Sequence, residues 1–219
     1  MKKSLCLLLV VLSLLLCSAG GADSLYPGCA VKFGSYEQDG NYQNGPEAID
    51  WIVVSCDEQA VVMISKYGLD CVPYHTYKGD VLWADSSLRY WLNNVFYNKA
   101  FSQSEKAFML SVGLENPENP EYGTYAGGMT KDVVFVPNVY DAQWHSMFNM
   151  QAAATRYAVQ QGVHTKNGYC WWWLRTPGKH MERVAHVTYE GKIYYEGTLP
   201  TTNSGAVRPC IVLNATMLR

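Results

Sequence analysis

A run of tryptophans beside an arginine is the feature of this sequence with the most evident chemical potential. The run reads Cys170-Trp171-Trp172-Trp173-Leu174-Arg175. On a strand, the two outer tryptophans face one way and Trp172 the other. We expect one face to fill the core, with the alternative that Trp172 lies under a ligand such as the face of a sugar. Arg175 and Arg208 are expected to bond backbone carbonyls or a carboxylate, with anion binding as the alternative.

Histidines and short motifs give no sign of catalysis. None of the five histidines has the i, i+4 spacing of a helical metal pair. His180 and His186 flank one predicted strand and could converge with another group, although scattered surface histidines are the expectation. The sequence contains neither G-x-S-x-G nor H-E-x-x-H. It therefore predicts no catalytic residue, no metal site and no cofactor.

The cysteines allow one bridge to be predicted. Two of the seven lie in the first 22 residues, and the others are Cys29, Cys56, Cys71, Cys170 and Cys210. Because five is odd, at least one stays free or pairs between chains. If the first two strands form a hairpin centred near Tyr42–Gln43, Cys29 and Cys56 lie opposite each other. We predict a disulfide there, contributing roughly 3 kcal/mol in the chain-entropy model.

The N-terminus has the layout of a secretory signal peptide. Basic residues at Lys2 and Lys3 precede an apolar run at 5–16 and a run of small residues. A membrane span needs about 20 apolar residues, so a cleaved leader at 1–22 is favoured over an anchor. Leu16 precedes Cys17, whereas a small residue usually precedes a lipidated cysteine. We expect residues 23–219 to form a single exported domain, secreted or at the cell surface.

Composition limits the partners of this domain. Loss of 22 residues leaves 197, enough for one core, and changes the net charge from -2 to -4 because the leader carries two lysines. A mildly acidic protein lacks the basic patch that binds nucleic acid. Charged residues make up only 16% of the chain, while there are 16 tyrosines and 7 tryptophans. This balance is common in exported binding proteins.

The order of predicted elements indicates an α+β fold. Strands at 30–36, 49–54 and 60–65 read as an antiparallel meander. Short central helices follow, indicated by an apolar stripe, a capping box and two later segments. These signals are Leu88/Trp91/Leu92/Val95/Phe96, Ser102–Glu105 with a helix through Leu110, Val139–Phe148, and Gln151–Gln161 ended by Gly162.

Antiparallel strands are predicted to close the domain. They are Cys170–Leu174, Arg183–Tyr189, Lys192–Glu196 and Ala206–Leu213. Glu190-Gly191 is a hairpin signal, and Pro209 within the last strand indicates an edge or a bulge. Strands followed by helices and then by strands are typical of α+β rather than alternating βαβ topology.

Two loops are the predicted binding surface. Residues 113–132 carry Gly, Pro, Asn and Tyr without periodicity, and long loops in compact domains are often functional. The second segment is 178–204. The residues predicted to contact a ligand are Tyr122, Tyr125, Trp144, Tyr195 and Glu196.

Several ordered motifs resemble a bacterial family of unknown function catalogued under the number 6273, over about residues 30–214. These motifs are Val31-Lys32-Phe33-Gly34-Ser35-Tyr36-Glu37-Gln38-Asp39, Ile64-Ser65-Lys66-Tyr67-Gly68-Leu69-Asp70, Ser87-Leu88-Arg89-Tyr90-Trp91-Leu92-Asn93, Cys170 to Gly178, and Gly205-Ala206-Val207-Arg208-Pro209. The closing motifs are more distantly similar to the C-type-lectin-like fold of formylglycine-generating enzymes (sulfatase-modifying factors). The resemblance therefore implies a C-type-lectin-like domain, although fold alone does not determine function.

The two distant relatives imply sites that this sequence only partly matches. The catalytic cysteine pair of the formylglycine-generating enzymes does not map onto Cys170 and Cys210, which argues against that activity. C-type lectins bind calcium beside a proline, and Glu115–Pro120 offers suitable oxygens. Their Trp-Asn-Asp strand partner is absent, so an ordinary polar loop is expected.

These observations favour an exported, non-enzymatic binding or interaction module whose ligand is a carbohydrate or a protein. The first alternative is an enzyme on a formylglycine-generating-enzyme-like fold. The second is a structural surface domain. A convergent cluster of perturbed titratable groups would favour the enzyme, and an exposed aromatic patch on the loops would favour binding.

Overall fold

The computed structural model describes residues 25–144 and 150–217. Within these residues the strands are β1 Ala30–Tyr36, β2 Glu47–Cys56, β3 Ala60–Ser65, β4 Asp70–Cys71, β5 Val112–Leu114, β6 Thr130–Asp132, β7 Val134–Phe135, β8 Thr165–Lys166, β9 Tyr169–Cys170, β10 Trp172–Pro177, β11 Val184–Val187, β12 Ile193–Thr198, β13 Ala206–Val207 and β14 Cys210–Asn214. The predicted α+β class is confirmed, with strands before and after a group of short helices.

The helices are short and lie mainly between the two groups of strands. They are α1 Ser87–Tyr90, a π-helical stretch Trp91–Phe96, α2 Tyr97–Ala100, α3 Gln103–Lys106, α4 Val139–Trp144 and α5 Arg156–Gln160, with 3-10 turns at Trp83–Asp85 and Ala215–Met217. The predicted stripe is confirmed at Leu88, Leu92 and Phe96, which are fully buried. Val95 is exposed instead, and it lies within the π-helical stretch, whose i→i+5 hydrogen bonds change which residues share a face.

The first sheet contains the predicted meander. Its strand order is β1-β2-β3-β14-β7, and every neighbouring pair is antiparallel. Inward residues alternate along β2, where Ile49, Trp51 and Val53 are fully buried. The indole of Trp51 donates to the carbonyl of Phe33 at 2.7 Å, which satisfies its polar atom in the core.

The second sheet holds the tryptophan run. Its strand order is β12-β11-β10-β13-β4. The predicted hairpin is confirmed as β11 and β12, and Gly191 adopts the left-handed conformation in its turn. β10 pairs with β13 in parallel at Trp172 and Ala206, whereas the other pairs in this sheet are antiparallel.

Pro209 marks a change of sheet rather than the predicted edge or bulge. The single predicted strand 206–213 is two strands, with β13 in the second sheet and β14 in the first. Between β3 and β4 the chain crosses from the first sheet to the second, which is the opposite direction to the crossing at Pro209. The two crossings are bonded to each other, because the carbonyl of Pro209 accepts from the Ser65 amide at 2.9 Å. A proline offers no amide to a ladder, which suits this crossing point.

Local contacts shorten two of the predicted helices. The Ser102–Glu105 capping box is present, but its helix α3 ends at Lys106 rather than Leu110. α5 begins after the cap at Thr155, because Ala152 and Ala154 form β-bridges with Cys170 and Gly68. Tertiary pairing therefore overrides helical propensity before residue 155.

The long loop is shorter than predicted. β5 and β6 pair at its two ends, from Val112 opposite Asp132 to Leu114 opposite Thr130. The irregular part is therefore 115–129. The predicted helix Val139–Phe148 is described as far as Trp144, and its remainder falls outside the described residues.

The register of β1 and β2 differs from the one that motivated the Cys29–Cys56 bridge. Ala30 pairs with Ile52, and the amide of Val53 donates to the carbonyl of Cys29 at 3.0 Å. Cys29 therefore lies opposite Val53, three residues before Cys56. Both thiols are free, although the pKa of Cys56 is raised by burial and then by Cys29. The bridge stays a prediction, which non-reducing peptide mapping would test.

No helix among the described residues is both long and apolar enough to cross a membrane.

Candidate functional site

The tryptophan run separates a buried side from a side that borders solvent. Trp172 is fully buried, and its indole donates to the carbonyl of Met150 at 3.1 Å. Trp171 and Trp173 lie on the other face, with ring centroids 4.8 Å apart. Trp171 keeps 6% of its surface exposed and lines a cleft. The ring beside the cleft is therefore Trp171, and the hypothesis of a ligand over Trp172 is wrong.

This cleft, which we call the sheet-face cleft, encloses about 420 Å³. Its lining comes from β11, the turn after it, the end of β12, β8 and the loop that leads into β13. The lining residues are Lys166, Trp171, His186, Thr188, Tyr189, Glu190, Thr198, Thr202 and Ser204. The volume lies within the range of small-ligand sites.

The rings of Trp171 and His186, which both line the sheet-face cleft, are in contact with ring centroids 4.8 Å apart. On its other side His186 contacts Tyr194, which is not part of the lining, at 5.2 Å between centroids. β11 pairs His186 with Tyr194 on β12, so all three rings lie on one face of the second sheet. Gly205 packs against Trp171 so closely that an added Cβ would lie 2.3 Å from the indole Cη2. A glycine is required there, and it holds the loop against the ring.

His186 is an uncharged ring at neutral pH. Burial lowers its pKa to about 4, against a weaker opposing effect from the backbone of Val184. Its Nδ1 is buried and makes no hydrogen bond within the part of the chain that the structure describes. An uncharged imidazole offers a polar atom without adding charge to the cleft.

The outer rim carries hydroxyl groups that the fold does not use. The side-chain hydroxyls of Thr198, Thr202 and Ser204 make no hydrogen bond to any described residue. By contrast, Thr188 accepts from the amides of Glu190 and Lys192, both at 3.3 Å, and so shapes the hairpin turn. Three half-buried hydroxyls are thus available to a ligand.

Charge in the sheet-face cleft is balanced. Lys166 and Glu190 form an exposed ion pair at 3.1 Å. The hydroxyl of Tyr189 lies 2.9 Å from Nδ1 of His164 at the same end. Because the cationic and the anionic group offset each other, the cleft has no net charge to attract an ionic ligand.

The two predicted binding loops do meet. Asn119 is buried in the loop 115–129, and its Nδ2 donates to the carbonyls of Pro177 and Tyr195, each at 2.8 Å. Thr124 Oγ1 donates to the carbonyl of Lys179 at 2.9 Å. The loop is therefore joined to the residues just before β11 and to β12 itself.

The predicted contact residues differ in their exposure. Tyr122 is 40% exposed and Tyr125 is 56% exposed. Nζ of Lys179 lies 5.7 Å from the ring centroid of Tyr122. Tyr195 and Glu196 are half-buried on β12, where Tyr195 accepts from Gln143 Nε2 at 2.8 Å. Trp144 is the last residue of α4, and its side chain lies outside the described part of the structure.

Tyr194 connects these predicted residues to the sheet-face cleft. Its hydroxyl donates to Glu196 Oε2 at 3.3 Å, and its ring contacts His186. Burial, Glu196 and, more weakly, Tyr122 raise its pKa. None of the five predicted contact residues lines the cleft, whereas the predicted segment 178–204 contains seven of its nine lining residues. The run Thr198-Leu199-Pro200-Thr201-Thr202-Asn203-Ser204 lay within the predicted 178–204 segment, and its density of hydroxyls was the available signal.

The predicted structural role of the two arginines is confirmed. Arg175 donates to Asp141 Oδ2 at 2.7 Å, to the carbonyls of Val136 and Glu115, and to Asn116 Oδ1. Arg208 donates to the carbonyl of Ser65 at 2.8 Å and lies over the ring of Trp172. Arg208 thereby connects the β13–β14 crossing between the sheets to the β3–β4 crossing.

Two other groups of polar residues are engaged in the fold. In the loop Glu115–Pro120, where an ordinary polar loop is predicted and calcium binding is the alternative, Asn116 donates to the carbonyl of Gly128 and Asn119 donates to the carbonyls of Pro177 and Tyr195. Glu37, Asp39 and Glu47 bring carboxylate oxygens within 4.8 Å of one another. Backbone amides of the turn after β1 already donate to all three carboxylates.

The buried cysteines have the properties of structural thiols. Burial raises the pKa of Cys170 to about 12 and raises that of Cys210 as well, although Arg208 lowers both. The thiol of Cys170 donates to the carbonyl of Ala152 at 3.2 Å. Because the thiolate is the nucleophile and the metal ligand, neither cysteine is activated.

The fold and the cleft define a class: an α+β domain with two five-stranded sheets, several short helices and a polar cleft beside the second sheet. The chain belongs to the family described as Domain of unknown function (DUF6273), whose model matches residues 58–215. The match includes four of the five motifs noted in the sequence, and the likeness at 31–39 lies before it. No curated protein and no solved structure gives a significant match.

Proposed function

We propose that this protein is an exported, non-enzymatic binding module that holds its ligand in the sheet-face cleft. The observation that carries the proposal is the set of three hydroxyls, on Thr198, Thr202 and Ser204, that have no partner among the described residues. Polar groups of a folded protein are mostly paired when they are buried. Half-buried hydroxyls beside aromatic rings form the mixed lining that small-ligand sites use.

Binding is favoured over turnover because the cleft lacks an activated group. A nucleophile needs a base within hydrogen-bond reach and a third group that orients the base. Lys166 and Glu190 pair with each other, and His186 keeps its Nδ1 buried. The enzyme alternative would require a convergent acid, base and nucleophile, which the lining residues do not supply.

Export remains part of the proposal, on the strength of the leader at 1–22. The residues before 25 lie outside the described part of the structure. Mass spectrometry of the exported protein should find a new N-terminus between Gly20 and Ser24. We also propose a C-type-lectin-like fold, a likeness that rests on the closing motifs of the sequence alone.

A thermal-shift survey tests the binding function. The protein would be heated with separate panels of saccharides, peptides and nucleotides, and a ligand that binds the native state raises the midpoint. We expect a hit whose effect is lost in the triple variant Thr198→Val, Thr202→Val, Ser204→Ala and kept in Thr201→Val. Thr201 lies in the same loop but does not line the cleft. A hit that the protein converts to product would support the enzyme instead, and a survey without any hit would defeat the proposal.

A further inference from the structure

We infer that the ligand of the sheet-face cleft is an uncharged saccharide, an inference that rests on the proposed binding function. The first argument is that the lining of the cleft is complementary to the surface of a sugar ring. A sugar ring presents a face of C–H groups and an edge of hydroxyls. The rings of His186 and Trp171 line the same cleft as the hydroxyl side chains of Thr198, Thr202 and Ser204. Aromatic faces with a polar neighbour suit a ligand that is apolar on one side and wet on the other.

The second argument is the type of hydrogen-bonding group. A Thr or Ser hydroxyl both donates and accepts, as a sugar hydroxyl does. Thr198, Thr202 and Ser204 therefore match such a ligand in either direction. A carboxylate or phosphate ligand would instead be bound by several cationic donors. The cleft contains a single lysine, Lys166, which is already paired with Glu190.

The third argument separates a saccharide from a peptide. Peptides commonly bind sheets by adding a strand to an exposed edge, where backbone amides and carbonyls are free. The cleft lies beside β11, which contributes His186, and β11 is already paired on both sides by β10 and β12. A peptide in the cleft therefore finds no free edge of β11 to extend.

Gly205 keeps this surface in shape. The loop that provides Thr202 and Ser204 passes over Trp171 at the one residue without a side chain. The amide of Ala206 donates to the carbonyl of Trp171 at 2.8 Å, and the amide of His164 donates to the carbonyl of Ser204 at 3.0 Å. Backbone bonds therefore hold the backbone on both sides of Gly205 in place before any ligand arrives, which lowers the entropic cost of binding.

Affinity electrophoresis of the full chain in gels that contain a neutral or an acidic polysaccharide tests the inference, with a glycan array to widen the range of sugars. We expect retardation by at least one neutral glycan. Each hydroxyl removed should weaken binding about fivefold. The triple variant Thr198→Val, Thr202→Val, Ser204→Ala should therefore lose more than about tenfold, and Thr201→Val should bind as the natural protein does.

Salt distinguishes an uncharged ligand from an ionic one. Salt of about 1 M, which reduces the Debye length to about 3 Å, should leave the retardation by a neutral glycan unchanged. Binding that is restricted to acidic glycans, or that is lost in about 1 M salt, would overturn the inference. Neutral-glycan binding that survives in the triple variant would also overturn it, because the cleft would not be the site.

The inference and the proposed function can fail separately. If no glycan binds but the thermal-shift survey finds a peptide or nucleotide that depends on the three hydroxyls, the saccharide is wrong and the binding module stands. If neither experiment finds a ligand, both are wrong.

Discussion

Two polar regions of this protein treat their hydrogen-bonding groups in opposite ways. The guanidinium of the buried Arg175 is engaged in the fold, because it donates to four acceptors on three segments of the chain. The rim of the sheet-face cleft contains Thr198, Thr202 and Ser204, whose hydroxyls serve no described residue. Engaged polar groups stabilise the fold, whereas unengaged groups are available for recognition. Substitutions in the two regions should therefore affect different properties.

The largest effect on stability is expected at Arg175. Arg175→Met removes the ion pair with Asp141 and the donor to Asn116 and two backbone carbonyls, and breaking a buried ion pair costs about 3–5 kcal/mol. Asp141 is partly exposed, so we expect about 3 kcal/mol. Urea unfolding measures the loss.

The matched control is Lys32→Met. Lys32 pairs with Asp50 at 2.8 Å, but the pair is exposed and should contribute less than about 1 kcal/mol. Equal losses in the two variants would mean that burial does not distinguish them, which would remove the basis of the comparison.

The next effect is a pH dependence at His186. Its folded pKa of about 4 lies below the ordinary value of about 6.5, so the unfolded chain takes up the proton first as pH falls. The contribution of uncharged His186 to the unfolding free energy is fully present above about pH 6.5 and is lost as the pH falls towards 4. This loss amounts to at most about 3 kcal/mol.

His186→Phe keeps an aromatic ring and removes the titration. We expect the unfolding free energy of the natural protein to fall more steeply than that of the variant between about pH 7 and pH 4. His180→Asn, at an exposed histidine, should retain the steep dependence. Parallel curves for the natural protein and His186→Phe would show that His186 is not desolvated.

A smaller effect is expected at Gly205, beneath the cleft. Gly205→Ala places a methyl group against Trp171, and overpacking of this kind costs about 1–3 kcal/mol. Gly128→Ala is the control, because nothing lies within 4 Å of an added Cβ there. Thermal unfolding and tryptophan fluorescence would report the change. A neutral Gly205→Ala would mean that the loop can move away from the ring and that the cleft is not held in shape.

Local patterns in the sequence predicted much of the first sheet. Alternating burial in β1, β2 and β3 follows directly from period-2 hydrophobicity, and the predicted bounds of β1 and β3 match the structure. The segment around Pro209 shows where local sequence patterns fail to predict the strands. The apolar residues on its two sides look like one strand, and only the partners β4 and β3 assign them to different sheets. Such pairings join residues more than a hundred positions apart.

The candidate site was harder to predict for the same reason. Exposed tyrosines at 122 and 125 could be inferred from composition, and both are on the surface. His186 had no local signal, since its burial depends on Trp171 and Tyr194 from other strands. The hydroxyls at 198–204 were visible as residue types. Whether they have internal partners is a property of the folded chain alone.

The smallest effect on stability is expected where the effect on binding is largest. Thr198→Val and Thr202→Val exchange a hydroxyl for a methyl group of similar size, and Ser204→Ala removes one hydroxyl. None of these hydroxyls bonds to a described residue, so each change should alter the unfolding free energy by less than about 0.5 kcal/mol.

As a matched contrast, Thr155→Val removes the hydroxyl that accepts from the amide of Ala158 at the start of α5. Loss of such a cap costs about 1 kcal/mol. Urea unfolding of the four single variants would make this comparison. If the rim variants lose as much as Thr155→Val, their hydroxyls serve the fold, and the division between engaged and available polar groups would not hold.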